Sequence, residues 1–242
     1  MGSKVKNYIL SYNAGSFFKR FFVMLFSLVL MNFGIACYYQ CGLGTDPFSV
    51  FVDGEHSLFH MTYGQITYIN GVFLFAFMLI FTRKYIHIGT ITATLISGAL
   101  IDFFNWLIGM FFPGDTLVRQ IILLIAGLVA FGVSVALYIV ADLGIGAVEA
   151  ITLWLDEKTR INLRWLRIGE DLGFMCVGIL LGALAGRTIF GDLIGFGTLA
   201  GAFGTGPIMK WFLNLTEKPF RKWFGPLRKT AQPQPKELRQ SP

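Results

Sequence analysis

Charge is what this chain has least of: Asp, Glu, Lys and Arg make up 14% of its 242 residues, against roughly 25% in ordinary soluble domains. Cysteine is scarce as well. Cys37, Cys41 and Cys176 show neither metal-ligand spacing nor an even-numbered set, which excludes a disulfide framework and leaves three apolar helix residues. Gly34-Ile35-Ala36-Cys37 carries Gly where a lipoprotein cleavage signal wants a larger aliphatic residue, so it reads as ordinary helix. There is no nucleophile beside a base, no phosphate-binding loop, no zinc-protease signature and no nucleic-acid motif. The sequence therefore points to no catalytic residue, no enzyme activity, no cofactor and no nucleic-acid partner. His56 and His60 stand one helical turn apart near Asp53 and Glu55, but two ligands without a third do not make a metal site.

What the chain has in abundance is apolar length. It is 55% hydrophobic, with 25 Phe and 28 Gly, and runs of roughly 20 apolar residues, enough to cross about 30 Å of hydrocarbon, recur along nearly all of it. The fold class is an all-α membrane protein in contact with the lipid bilayer. Spans are predicted at about 21–39, 64–81, 88–111, 118–140, 166–185 and 193–213. Two segments, about 48–59 and 148–157, are helical but too short to cross. Residues 1–16 form a polar N-terminal segment with Lys4 and Lys6. From Leu215 the chain is rich in Lys and Arg with Phe220, Trp223 and Phe224, which suits an anionic inner leaflet, and its last dozen residues read as disordered.

The stretch Gly42-Leu43-Gly44-Thr45-Asp46-Pro47 comes back as Gly144-Ile145-Gly146-Ala147-Val148-Glu149. Each copy ends an apolar run and opens one of the short helices. Sliding the halves to place Gly42 on Gly144 and Gly44 on Gly146 also places Tyr63 on Trp165 and Gly71 on Gly173. After extra residues near 186–192, Gly89-Thr90 meets Gly197-Thr198 and Gly98 meets Gly206. The chain thus divides into 1–16, a first repeat over 17–112, a second over 113–214, and a basic tail over 215–242. With both termini cytoplasmic, every Lys and Arg except Arg119 and Arg187 lies at or inside the inner boundary, a strong positive-inside pattern. Three spans per repeat is an odd number, so the copies enter from opposite faces and the repeat is inverted.

Glycine lets the backbone turn and approach a neighbour, and Pro47 suits the first turn of a helix. The N–H groups at such a start can hold an anion or a substrate carboxylate; close packing through small residues is the competing use. The candidate substrate-binding set is Gly42, Gly44, Thr45, Asp46, Pro47, Gly144, Gly146, Glu149, Asp102, Arg167 and Glu170. Glu149 falls where the repeats would meet, and an ionisable group in a membrane faces a cavity or a partner. Asp102 lies some 14 residues into its span, about 21 Å at 1.5 Å per residue. Arg164, Arg167, Glu170 and Asp171 are spaced to pair along one helix, as a salt-bridge cluster or the lining of an inner gate. Gln65, Asn70 and Asn32 are suited to interhelical hydrogen bonds.

These motifs, Gly-x-Gly-x-x-Pro after the first span, a second Gly-x-Gly after Ala141-Asp142-Leu143, Arg167 with Glu170 heading the fifth span, and Gly197-Thr198 and Gly206-Pro207 in the sixth, resemble the YczE/YyaS/YitT family of bacterial membrane proteins over about residues 20–213. Glu149 departs from the Pro that family members tend to carry there. The resemblance implies a bacterial inner-membrane location and supplies no substrate. Broken helices meeting near the midplane of an inverted repeat are the plan of secondary transporters, so the expectation is a transporter or facilitator of a small polar or anionic solute. The alternative is an accessory protein whose glycine faces pack on a second copy or on another membrane protein.

Overall fold

The computed structural model describes residues 14–144, 146–159, 161, 163–189 and 193–224. The N-terminal segment with Lys4 and Lys6, Ile145 of the second motif, and the end of the tail lie outside the described residues. Eight α-helices are found among the described residues: α1 (Ala14–Cys41), α2 (Pro47–Phe59), α3 (Tyr63–Phe81), α4 (Ile88–Phe111), α5 (Leu117–Ala141), α6 (Ala147–Lys158), α7 (Leu163–Leu184) and α8 (Phe196–Phe224). A helix is found over each of the predicted apolar runs and both short segments. Four ends differ: the first helix starts at Ala14 rather than near 21, inside the predicted N-terminal segment, α7 starts at Leu163 rather than near 166, and the last helix starts at Phe196 rather than near 193 and runs on to Phe224, so residues 215–224 extend a helix instead of starting the tail. Four helices, α1, α3, α4 and α5, are long and apolar enough to cross a membrane. In α7 the early charges Arg167, Glu170 and Asp171 dilute the apolar run.

The centre is the antiparallel pair α1 and α5. Arg20 at the start of α1 reaches Ala141 and Asp142 at the end of α5, while Arg119 at the start of α5 donates to the backbone and side chain of Gln40 at the end of α1, both at 3.0 Å. Midway, a side chain on Gly34 would stand 2.9 Å from the backbone N of Phe131, and one on Gly127 3.1 Å from the Gly34 carbonyl. Only glycine lets these backbones approach so closely. Helix α4 runs parallel to α1 (Asn32 to Ser97 at 3.3 Å, Gln40 to the Asn105 carbonyl at 3.3 Å), and α8 runs parallel to α5, with Gly132 under Ile208 and Gly204 under Leu128. Helix α3 lies antiparallel on α4, and α2 lies along α7.

The turns that end α1 and α5 are alike, but not in the register the sequence suggests. Gly42 (φ +64°) caps α1 in the left-handed region, and Asp142 (φ +54°) caps α5 in the same way. The next residues, Leu43 and Leu143, each offer a carbonyl to another helix start: Leu43 to the Gly197 N–H at 2.7 Å, Leu143 to the Gly89 N–H at 3.0 Å. Gly44 then sits against Gly195 and Thr198, and Gly144 against Gly89 and Thr90. So Gly42 answers Asp142 and Gly44 answers Gly144; the pairing of Gly42 with Gly144 is corrected by two residues. The left-handed cap explains the slip, because Asp tolerates that conformation as Gly does.

Candidate functional site

Both short helices begin with a carboxylate folded over their own N-terminus. In α2, Asp46 is the N-cap: one oxygen accepts from the Ser49 N–H at 3.1 Å and the other from the Ser49 hydroxyl at 2.7 Å. In α6, Gly146 holds the cap position and the Glu149 carboxylate lies directly over it, where a side chain on residue 146 would stand. The partial positive charge at a helix start favours this. At α2 the Ser49 N–H, one of the donors that would seat a substrate anion, is already turned toward the chain's own Asp46.

Glu149 pairs with Arg167 at 3.4 Å, and Arg167 reaches Asp171 one turn along α7 at 3.7 Å. The next carboxylate, Glu170, accepts from the hydroxyl of buried Thr152 on α6, and its other oxygen is buried without a hydrogen bond. Asp171 lies within electrostatic reach of both Glu149 and Asp46. The starts of α2 and α6 therefore approach the first half of α7, where three carboxylates, Glu149, Glu170 and Asp171, lie within electrostatic reach of the Arg167 guanidinium and Asp46 lies within reach of Asp171. The side chains of Glu149, Arg167 and Asp171 keep 50%, 45% and 39% of their surface.

Of the predicted set, Asp46, Glu149, Arg167 and Glu170 come together here. Pro47 fills the first turn of α2; Thr45 and Gly44 are buried, and Gly42, Gly44 and Gly144 act in the turns and in close packing. Asp102 does not join: it accepts from the Thr62 hydroxyl at 2.6 Å and the Gly64 N–H at 2.8 Å, tying α4 to the start of α3. Asn32 and Asn70 bridge helices as predicted, to Ser97 and Glu55. Gln65 instead completes a capping box on its own helix with Thr62. His56 hydrogen-bonds Tyr39 at 2.9 Å and the Met61 carbonyl at 2.5 Å, and His60 caps α2. The side chain of Arg164 lies outside the described residues.

Thr152 and Asp171 were not among the predicted binding residues. Asp171 had a signal, its spacing from Arg167; Thr152 had none. Two ion pairs join distant segments. Arg20 and Asp142 stand 3.8 Å apart with side chains 0% and 3% exposed. On α2, Asp53 pairs with Arg187 at 3.0 Å, and Arg187 also donates to Ser57 at 2.9 Å. A third, exposed pair joins Lys84 to Glu157 at the end of α6, with Tyr85 donating to the same carboxylate at 2.8 Å.

Together these features define a polytopic helical membrane protein with an ionised cluster among its helices. A family described as one of unknown function (DUF6198) matches residues 18–214. The uncharacterized membrane protein YczE of Bacillus subtilis (strain 168) is 32% identical over 187 residues, covering 77% of this chain and 81% of its own. The uncharacterized protein YyaS of the same organism is 26% identical over 194 residues, covering 80% and 92%, and an uncharacterized Haemophilus influenzae protein is 23% identical over 199, covering 82% and 85%. This chain belongs to the YczE/YyaS family of membrane proteins. No solved structure matches it.

Proposed function

We propose that the protein is a transporter or facilitator of a small polar solute, not an enzyme, built as six crossing helices in two inverted three-span repeats in a bacterial inner membrane. The carrying observation is the meeting of the two short-helix starts at one ionised cluster on α7. Broken helices at membrane depth persist where they line protein or water, and inverted repeats bring their equivalent breaks to one site. The repeat is supported by the matched turns at Gly42 and Asp142, and by helix pairs that recur across the halves: α1 with α4 as α5 with α8, and α2 with α7 as α6 with α3.

The chemistry of the cluster favours a cationic solute over the anion the glycine motifs suggest. Among the described side chains, the carboxylates of Glu149, Glu170 and Asp171 outnumber the one guanidinium of Arg167, and Asp46 lies within reach of Asp171, so an amine or other positive group complements the site. Uptake into vesicles reconstituted with the pure protein, screened with small solutes sorted by charge, tests this. Cationic solutes should accumulate above empty vesicles, and Glu149→Gln, which removes one charge at nearly constant volume, should cut uptake about tenfold or more, as expected for a charge-assisted hydrogen bond worth roughly 1.5–3 kcal/mol. Normal uptake by Glu149→Gln would remove the site from the reading.

The charge pattern orients the molecule with both termini cytoplasmic. Arg20, Asp142, Lys84 and Glu157 then belong to the inner face, and Gln40, Arg119, Asp53 and Arg187 to the outer. A single cysteine at Lys84 in a cysteine-free protein should react with an impermeant maleimide only after the membrane is opened, and one at Asp115 should react in intact cells.

One observation favours the accessory reading: Gly169 and Gly173 on α7 have no atom within 4 Å of a would-be side chain. A helix face this bare suits a packed partner. Absence of uptake for every charge class, with co-purification of a membrane partner lost on Gly173→Leu, would put that reading first.

A further inference from the structure

One side chain at the site makes its contacts in full only with a proton on it, and we infer that Glu170 is a proton-binding site, holding H+ at neutral pH and giving it up when a positively charged solute binds. This rests on the solute site proposed above, and it makes transport an exchange of one H+ for each positive charge carried. The hydroxyl of Thr152, buried on α6, stands between two oxygens, the Val148 carbonyl at 3.1 Å and Oε2 of Glu170 on α7. A hydroxyl has one proton to give, and a carbonyl can only accept. An ionised Glu170 can only accept as well, so the hydroxyl would serve one oxygen and leave the other short. With a proton on Oε2 both contacts are made: Glu170 donates to Thr152, and Thr152 donates to Val148.

The remaining carboxyl oxygen favours the same state. Oε1 of Glu170 is buried and has no hydrogen bond, which is costly for half of a carboxylate and less so for the carbonyl oxygen of a neutral acid. The neighbouring acids are better supplied. Glu149 and Asp171 each meet the Arg167 guanidinium, at 3.4 and 3.7 Å, and Asp46 takes the N–H and the hydroxyl of Ser49. Arg167 lies within electrostatic reach of Glu170 and favours its charge, while Asp171 and Glu149 oppose it. Arg164, whose side chain lies outside the described residues, is set a third of a turn around α7 from Glu170, at about 100° per residue. What decides is which atom beside Thr152 holds a hydrogen, not the sum of the charges.

The first repeat has a neutral donor at the same place. The register that sets Gly44 on Gly144 places Asn70 where the second repeat has Glu170. Asn70, on α3, donates its amide N–H to Glu55 of the short helix α2. A protonated Glu170 does likewise from α7, donating to Thr152 of the short helix α6. When a cation arrives, the O–H bond of Glu170 breaks, its proton passes to water, the Thr152 hydroxyl turns from Val148 to the carboxylate, and the solute's charge replaces the proton's. Reprotonation from water on the other side releases the solute.

Infrared spectroscopy of the full chain tests the site with the proton itself as the ligand. At neutral pH the protein should show the carbonyl band of a protonated carboxyl group, shifted in heavy water, which Glu170→Gln removes and Thr152→Val moves. Glu170→Gln should keep its yield of monodisperse protein, because its amide can donate to Thr152 as the acid does. In vesicles given the cation taken up best in the charge-sorted screen, uptake should rise severalfold with an acidic lumen and lose that dependence in Glu170→Gln. Identical carboxyl bands in the parent and Glu170→Gln, a band unmoved by Thr152→Val, or uptake by the parent that ignores the pH gradient overturns the inference. Glu149-dependent uptake without such a band would leave the solute site standing and remove the proton; a band lost in Glu170→Gln without uptake of any solute would keep the proton site and remove transport.

Discussion

Asp142→Asn is expected to destabilise the protein by about 3–5 kcal/mol, the usual cost of removing one partner of a buried ion pair. The pair closes the inner end of the central helix pair, where Arg20 is wholly buried and draws on both the Asp142 carboxylate and the Ala141 carbonyl. Asn keeps the side-chain shape and tolerates the left-handed backbone at this position, so the loss reports the charge alone. At roughly 2–4 °C per kcal/mol for a chain of this size, the thermal midpoint in detergent should fall by roughly 6–20 °C. Arg20→Met, which removes the guanidinium from Asp142→Asn as well, should recover part of the loss, because the penalty is chiefly that of an uncompensated buried charge. A midpoint within 2 °C or so of the parent would mean that water reaches Arg20.

Gly54→Leu should prevent α2 from seating and leave little monodisperse protein. A side chain at Gly54 runs into the Gly178 backbone, and one at Gly178 meets the Val50 carbonyl at 2.5 Å and Phe51 Cα at 2.7 Å. Overpacking a core commonly costs 1–3 kcal/mol when side chains can yield. Here backbone opposes backbone, so the helices must separate, and the ion pair of the adjacent Asp53 with Arg187 breaks with them. Gly71→Ala is the contrast: its new methyl group would make an ordinary contact with Thr94 at 3.5 Å, and normal yield is expected. Equal yields from Gly54→Leu and Gly71→Ala would refute the tight crossing.

These two effects mark the boundary of what the sequence by itself determined. Apolar runs, glycine breaks and the scarcity of charge marked the membrane class, the inner helix limits to within a few residues, and the two short helices, because each depends on neighbours along the chain; the first and last helices run further into the polar ends, to Ala14 and Phe224, than the apolar runs show. Family membership was legible too, in the order of its short motifs. The candidate site was legible in part: Glu149, Arg167 and Glu170 were marked by charge in an apolar setting. Asp102 carried the same mark and serves to tie two helices together.

Only the tertiary structure decided the rest. That Asp142, not Gly144, answers Gly42 rests on one backbone angle, and nothing in a Gly-x-Gly pattern shows which residue turns left-handed. The partners Arg20 and Ala141 are separated by 121 positions, Arg187 and Asp53 by 134; no local period encodes such pairs. That Asp46 and Glu149 fold back over the starts of their own helices followed from the directions of two side chains rather than from their spacing. Helix formation in an apolar solvent is satisfied within each segment, whereas the choice of which faces meet is made by shape and charge between segments far apart in the chain.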